Sequence, residues 1–327
     1  MDPQLNVKTS MFRALCLLAA FLACACEPPS SQEKGGTPEG ASGKAGGKLL
    51  GVSVQTMTNP FFVDLTGGLQ EVIEAHGDKL LVLDAQFDSL RQGNDISDLI
   101  LRGVSALFIN PVNWESIKGS LLQAKAKGIP VIVVDAPVKD ESLVLSTVAS
   151  DNVEAGRLAA RALSKAVSPL NVAILGYSVN KACIDRVAGF KEVLQTLEGA
   201  RHVEAELTKG SAESARPLMQ DLMGRHQDLN AVFAINDPSA MGVISAFESA
   251  GKLSSVKIAA VDGAQEAVQA ILGGKLLSSS AQFPREIGKR SAEVAYDHFA
   301  GKAVEKEVKV RVELITKDNA AAFLKKN

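Results

Sequence analysis

Gln55-Thr56-Met57-Thr58-Asn59-Pro60-Phe61-Phe62 follows the apolar run Leu49-Leu50-Gly51-Val52-Ser53-Val54. An apolar strand thus runs into amide side chains, a proline and two adjacent aromatics, after which a helical pattern begins. Open α/β sheets bind ligands at the carboxyl ends of their strands. Amides for hydroxyls and flat rings for C–H faces are the chemistry a sugar-sized ligand needs. Two carboxylates stand in the same kind of place. Asp135 closes the apolar run 131–134, and Pro137 with the charged Lys139-Asp140-Glu141 argues against an immediate helix, so ligand contact is its expected role. Asp262 ends the run 258–261, with Gly263 behind it to turn the backbone. It can also cap a helix starting at Gln265, and the two roles are compatible. Asn236-Asp237-Pro238 is a helix-start signal, in which we expect Asp237 to cap the helix and Asn236 to face the ligand.

Other chemistry-bearing residues read more plainly. Trp114, the only tryptophan, follows the third apolar run and offers either an aromatic platform in a cleft or a cover near a helix start. Arg186 can pair with Asp185 or with a ligand, the helix-surface ion pair being the commoner role, and Cys183 is expected to be a small buried hydrophobe. The four histidines are scattered without zinc-ligand spacing. There is no glycine-rich phosphate loop, no Gly-x-Ser-x-Gly elbow and no paired cysteine motif. We therefore expect no cofactor, no metal and no catalysis. A net charge of −2 gives no reason to expect nucleic acid as a partner.

These residues need elements to position them. Apolar runs at 49–54, 80–83, 106–109, 131–134, 144–148, 172–175, 203–207, 231–235, 258–261 and 276–281 alternate with amphipathic stretches at 60–76, 96–102, 115–127, 154–166, 185–197, 216–226, 239–250 and 286–300. That alternation predicts parallel sheets covered on both faces by helices. Gly77, Gly128 and Gly251 follow helix ends, and Asn113, Asp151 and Asp237 stand where N-caps belong. The strands are too many for one sheet, so the expected fold is α/β with two doubly wound parallel-sheet lobes joined by a three-strand hinge. The expected boundaries put 48–149 with 283–311 in an N-terminal lobe and 150–282 with 312–327 in a C-terminal lobe, a ligand lying in the cleft between them.

Residues 1–26 read as a secretory signal, since Lys8 and Arg13 precede an apolar run too short to span a bilayer. Its end, Phe21-Leu22-Ala23-Cys24-Ala25-Cys26, resembles a bacterial lipobox in which either Cys24 or Cys26 fits as the lipidated residue. Residues 27–47, rich in Pro, Ser, Gly and Lys, read as a tether. The expectation is export to the periplasm or cell envelope with anchoring by an N-terminal lipid.

From Leu49 to about Val312 the chain resembles the periplasmic binding proteins of ribose type (periplasmic binding protein-like I), which feed sugars to bacterial ABC transporters. The resemblance rests on Asn59-Pro60-Phe61-Phe62, Ile109-Asn110-Pro111, Ile129-Pro130-Val131-Ile132, Ala149-Ser150-Asp151-Asn152, Ala231-Val232-Phe233-Ala234-Ile235-Asn236-Asp237, Val261-Asp262-Gly263 and Ala281-Gln282-Phe283-Pro284, in that order. It implies that Gln55, Asn59, Asp135, Asn236, Asp262 and Gln282 contact hydroxyls and that Phe61 and Phe62 cover ring faces. The chain departs from the family at Gln55, where a small hydroxyl residue is usual, and at Ala136 and Ile184, where the family has arginines. A third aromatic of the family aligns with Gly210. These departures point away from ribose. The implied protein is a monomeric, exported solute-binding component that takes a neutral sugar or polyol and closes to deliver it to a permease. The same closure would also serve a sensory receptor for chemotaxis, a kinase or a quorum signal.

Overall fold

In the computed structural model, residues 47–324 are described. The signal segment, Cys24, Cys26 and nearly all of the tether lie outside the described residues. The chain opens with β1 (Leu49–Val54), α1 (Pro60–Ala75), β2 (Lys79–Asp84), α2 (Ser89–Leu101), β3 (Leu107–Ile109), α3 (Lys118–Ala126), β4 (Val131–Val134) and β5 (Ser146–Ser150). It then crosses into a second layer of α4 (Asn152–Ala166), β6 (Asn171–Gly176), α5 (Lys181–Leu194), β7 (Arg201–Glu206), α6 (Ala212–Arg225), β8 (Ala231–Ala234), α7 (Asp237–Ser249), β9 (Lys257–Asp262), α8 (Gln265–Leu272) and β10 (Ser278–Ala281). A return crossing leads to α9 (Pro284–Phe299) and β11 (Glu307–Val310) on the first sheet. A third leads to β12 (Glu313–Ile315) and α10 (Ala320–Leu324) on the second.

The result is two six-stranded sheets, ordered β11-β5-β4-β3-β1-β2 and β12-β10-β9-β8-β6-β7. Every pairing is parallel except β10 with β12. The two-lobed parallel architecture expected from the alternation is the one present.

Strand alternation places the core. In β4, Ile132 and Val134 pack with α1 and α9 on one face of the first sheet, while Val131 and Val133 pack with α2 and α3 on the other. Both faces are dry, which is why the strands read as unbroken aliphatic runs. The second sheet carries one continuous core that includes Phe190 stacked on Phe233, centroids 4.4 Å apart. Gly77, Gly128 and Gly251 take φ of 76°, 67° and 66° directly after helices, as their positions predicted. Two caps differ from expectation. Asn113 accepts from the amides of Glu115 and Ser116, capping a turn, and α3 starts only at Lys118. Asn236, not Asp237, caps α7 by accepting from the Ser239 amide at 3.0 Å, because Asp237 is drawn inward to other donors.

Two helix pairs are pressed backbone to backbone. A Cβ on Gly156 of α4 would overlap the Arg186 carbonyl oxygen of α5, and one on Gly189 would overlap the carbonyl of Val153. Gly68 and Gly288 do the same for α1 against α9. Only glycine allows this approach. Gly156→Ala is expected to wedge α4 from α5 and destabilise the protein by about 1–3 kcal/mol, the range for overpacking. Chemical denaturation would measure it, and an unchanged midpoint would contradict the close packing.

Candidate functional site

Both sheets aim the carboxyl ends of their strands at one cleft. Gln55 follows β1, Asp135 follows β4, Asp262 closes β9 and Gln282 follows β10. Asn59 caps α1, accepting from the Phe61 amide, and Asn236 follows β8. With Phe61 and Phe62 these residues line one cleft between the lobes. The two phenylalanines meet edge to face, centroids 5.2 Å apart and rings 83° from parallel. At the first turn of a helix both can face the cleft, where a position deeper in the helix would have separated them.

Trp114 and Ile184 lie outside this lining. Trp114 sits half-buried at the mouth, where its amide donates to the Val179 carbonyl of the opposite lobe at 3.1 Å and Lys139 lies over its ring at 5.8 Å. Ile184 is half-buried on α5. Gly210 lines the cleft without an aromatic, its carbonyl accepting from Asn236 Nδ2 at 3.0 Å.

Phe87, Tyr177 and Asn180 are among the lining groups that the sequence reading did not assign to it. Phe87, after β2, supplies a ring from the first lobe, and Lys209 of the second lobe stands over it at 5.8 Å. Tyr177, after β6, and Asn180, capping α5, come from the second lobe. The signal for Tyr177 was its place just beyond an apolar run, whereas Phe87 stands three residues past the end of β2.

Of the two roles open to Arg186, the commoner one is not taken, and its side chain lines the cleft. It forms no surface ion pair with Asp185, which pairs with Lys181 instead. Arg186 is only 4% exposed. Its Nε donates to Asn152 Oδ1 and its Nη1 to the Ile235 carbonyl, both at 2.8 Å, with Asp262 Oδ1 at 3.6 Å. Cys183 lines the cleft beside it, and burial pushes its thiol up to about 12, so it carries no thiolate.

The carboxylates are unequally served. Asp262 Oδ1 accepts from Gln282 Nε2 at 2.7 Å and has Arg186 near. Burial raises it to about 6, against the pull of Arg186 and Gln282. Asp135 Oδ2 accepts from Asn110 Nδ2 at 3.0 Å, and its Oδ1 has no partner. Burial raises Asp135 to about 7, with Arg186 and Asn110 opposing and Asp262 assisting. Asp237 lies behind them, held by Ser279 Oγ at 2.7 Å and the Ala264 amide at 2.8 Å, and burial beside Asp262 raises it well above the usual carboxylate range. Asp135 and Asp262 also hold φ of 68° and 136°, conformations that turn the chain sharply at the strand end and cost free energy in a non-glycine residue. Gln55 Nε2 and Gln282 Oε1 are likewise buried without partners. Each such atom costs about 1–3 kcal/mol, a cost that a ligand bearing matching donors and acceptors removes.

The raised carboxyls fix the sign of a pH effect. An unfolded chain titrates Asp135 at about 3.9, while the folded protein holds that proton to about 7. The stability gained is complete below the lower value and lost as pH rises through the upper. Ligand-free protein should therefore melt at a lower temperature at pH 8 than at pH 5.5, with the difference smaller in Asp135→Asn. Identical pH profiles for the two proteins in thermal denaturation would remove Asp135 as the cause.

Comparison with known proteins follows the geometry. A family model described as a periplasmic binding protein domain matches residues 50–303. The ribose import binding protein RbsB of Bacillus subtilis is 34% identical over 309 residues, covering 91% of this chain and 96% of its own. That of Escherichia coli K12 is 32% identical over 274 residues, covering 82% and 90%. An ABC transporter solute-binding protein of Bacillus halodurans C-125, solved with bound myo-inositol, superposes with a TM-score of 0.81 at 27% identity, covering 88% of this chain and all of its own. Two parallel-sheet lobes, a polar cleft at their strand ends and these matches together place the chain in the periplasmic binding protein family.

Proposed function

We propose that this protein captures a sugar or polyol between its lobes and, closed around it, delivers it to the membrane permease of an ABC transporter. The observation that carries this is the convergence of both sheets on one cleft, where Gln55, Asp135 and Gln282 each bury a polar atom without a partner. Relatives that import ribose and a structural neighbour that holds myo-inositol support the ligand class. The hinge has three crossings, so the lobes can swing without unfolding. The ligand contacts Gln55, Asn59 and Asp135 of one lobe and Asn236, Asp262 and Gln282 of the other. Its binding free energy thereby stabilises the closed form over the open one. Phe61, Phe62 and Phe87 cover its C–H faces. The lining groups bind and orient a solute, and we assign them no catalytic step.

Trp114 bridges the mouth, and as the sole tryptophan it reports closure by its fluorescence. Calorimetry of refolded, ligand-free protein against pentoses, hexoses and inositols should find one binder that also shifts this emission. Phe87→Ala should weaken that binder about tenfold, or ~1.4 kcal/mol, with an unchanged melting temperature. A panel without any binder would end the sugar and polyol reading.

We further propose that the protein is exported and held in the envelope by lipid on Cys24 or Cys26. Radiolabelled palmitate should mark the wild type and fail to mark one of Cys24→Ser or Cys26→Ser, whose protein should leave the membrane fraction. An unlabelled wild type would rule out the anchor.

A further inference from the structure

Among the residues lining the cleft, the charges do not balance. Asp135 and Asp262 face it with Arg186 as the only basic side chain of the lining. Arg186 is already committed to Asn152 and the Ile235 carbonyl, and its nearest carboxylate is Asp262. Asp262 also takes the Gln282 amide. The residues after Asp135, Ala136 and Pro137, are uncharged. Lys181 of the neighbouring helix is occupied by Asp185, and Lys209 stands at the mouth over Phe87. Asp135 therefore meets one amide, from Asn110, and leaves Oδ1 buried and empty-handed at 4% exposure. A second acceptor, Gln282 Oε1, is also unpartnered, against one unpartnered donor, Gln55 Nε2. The cleft asks for donors and for positive charge.

We propose that the native ligand is a polyhydroxylated small molecule bearing a protonated amine, and that this ammonium group sits against Asp135. The inference rests on the sugar and polyol reading above and replaces the neutral ligand expected from sequence. A hydroxyl could fill the hydrogen bond of Oδ1 but would leave two buried carboxylates sharing the one Arg186 guanidinium, a costly state relieved by taking up a proton. An ammonium has three donors and no acceptor, which matches what the cleft lacks. The groups facing Asp135 are Arg186 and Cys183 of α5, Asp262 of β9 with Asp237 behind it, and Asn110 after β3. The thiol is held protonated and both oxygens of Asp237 are taken by Ser279 and the Ala264 amide, so the pair Asp135 and Asp262 against Arg186 sets the charge that faces the ligand. An ammonium ligand needs Asp135 ionised and binds more weakly as pH falls from 8 to 5.5. A neutral ligand that accepts a hydrogen bond from protonated Asp135 binds more tightly over the same range.

The test is calorimetry on refolded, ligand-free protein with matched pairs: D-glucosamine against D-glucose, D-galactosamine against D-galactose, and an aminocyclitol against its parent inositol. At least one amine should bind tenfold or more tightly than its hydroxyl partner at pH 8. The preference should shrink at pH 5.5 and vanish in Asp135→Asn, a change that tolerates the positive φ at this position. Folding of the variant is checked by its melting temperature. Should a hydroxyl member bind as well as its amine, the proposal falls while the sugar and polyol reading stands. Should no member of either series bind, both fall. A nitrogen-free ligand found by native mass spectrometry of the protein as purified would also overturn the amine.

Discussion

A single buried guanidinium makes this cleft buildable. Two carboxylates at opposed strand ends would repel each other across a low-dielectric gap, and Arg186 is the cation that lets them coexist. Its own position depends on backbone contact further away. α4 and α5 lie so close, through Gly156 and Gly189, that Asn152 can grip the guanidinium from one helix while the Ile235 carbonyl grips it from the neighbouring strand. Core packing, helix spacing and the electrostatics of the site are thus one continuous arrangement.

The site is also deliberately incomplete. Buried polar groups in folded proteins are nearly always paired, yet three at the centre of this cleft are not. Closure without ligand buries them at a cost, while closure on a matching ligand does not. That difference is the free energy available for biasing the hinge, and it resides in a few atoms rather than in apolar area. The aromatic rings contribute differently, since they shield those hydrogen bonds from water and favour flat C–H surfaces without fixing which hydroxyl goes where.

Much of this was legible in the sequence because parallel strands buried on both faces leave an unmistakable aliphatic rhythm, and because cleft residues stand directly beyond those runs. Gln55, Asn59, Asp135, Asn236, Asp262 and Gln282 all line the cleft for that reason. For Arg186 the commoner reading, a surface ion pair, failed because it lies within a helical stretch beside an acid and only the approach of Asn152 and Ile235, distant in the chain, encloses it. Asp237 was misread as a cap because a local signal could not reveal Ser279 waiting inside. Trp114 offered two roles to the reader and took a third, a backbone link across the mouth. Local rules locate strand ends, but partners supplied from other strands decide what each side chain does there.

The two sheets have the same strand order, and this has a consequence for the chemistry. β4 and β9 hold matching places, so Asp135 and Asp262 are the same position met twice, as are Asn59 and Asn180 at the helix caps. The glycine pairs Gly68 with Gly288 and Gly189 with Gly156 match as well. A lobe facing its own repeat necessarily sets acid against acid, and the receptor becomes selective only where the halves have diverged. The position equivalent to Arg186, counted from the caps, is Leu65, wholly buried in the core of the first lobe. One half of a twofold cradle thus has an aliphatic side chain where the other has a cation, and that broken symmetry puts the only positive charge of the cleft lining in the second lobe.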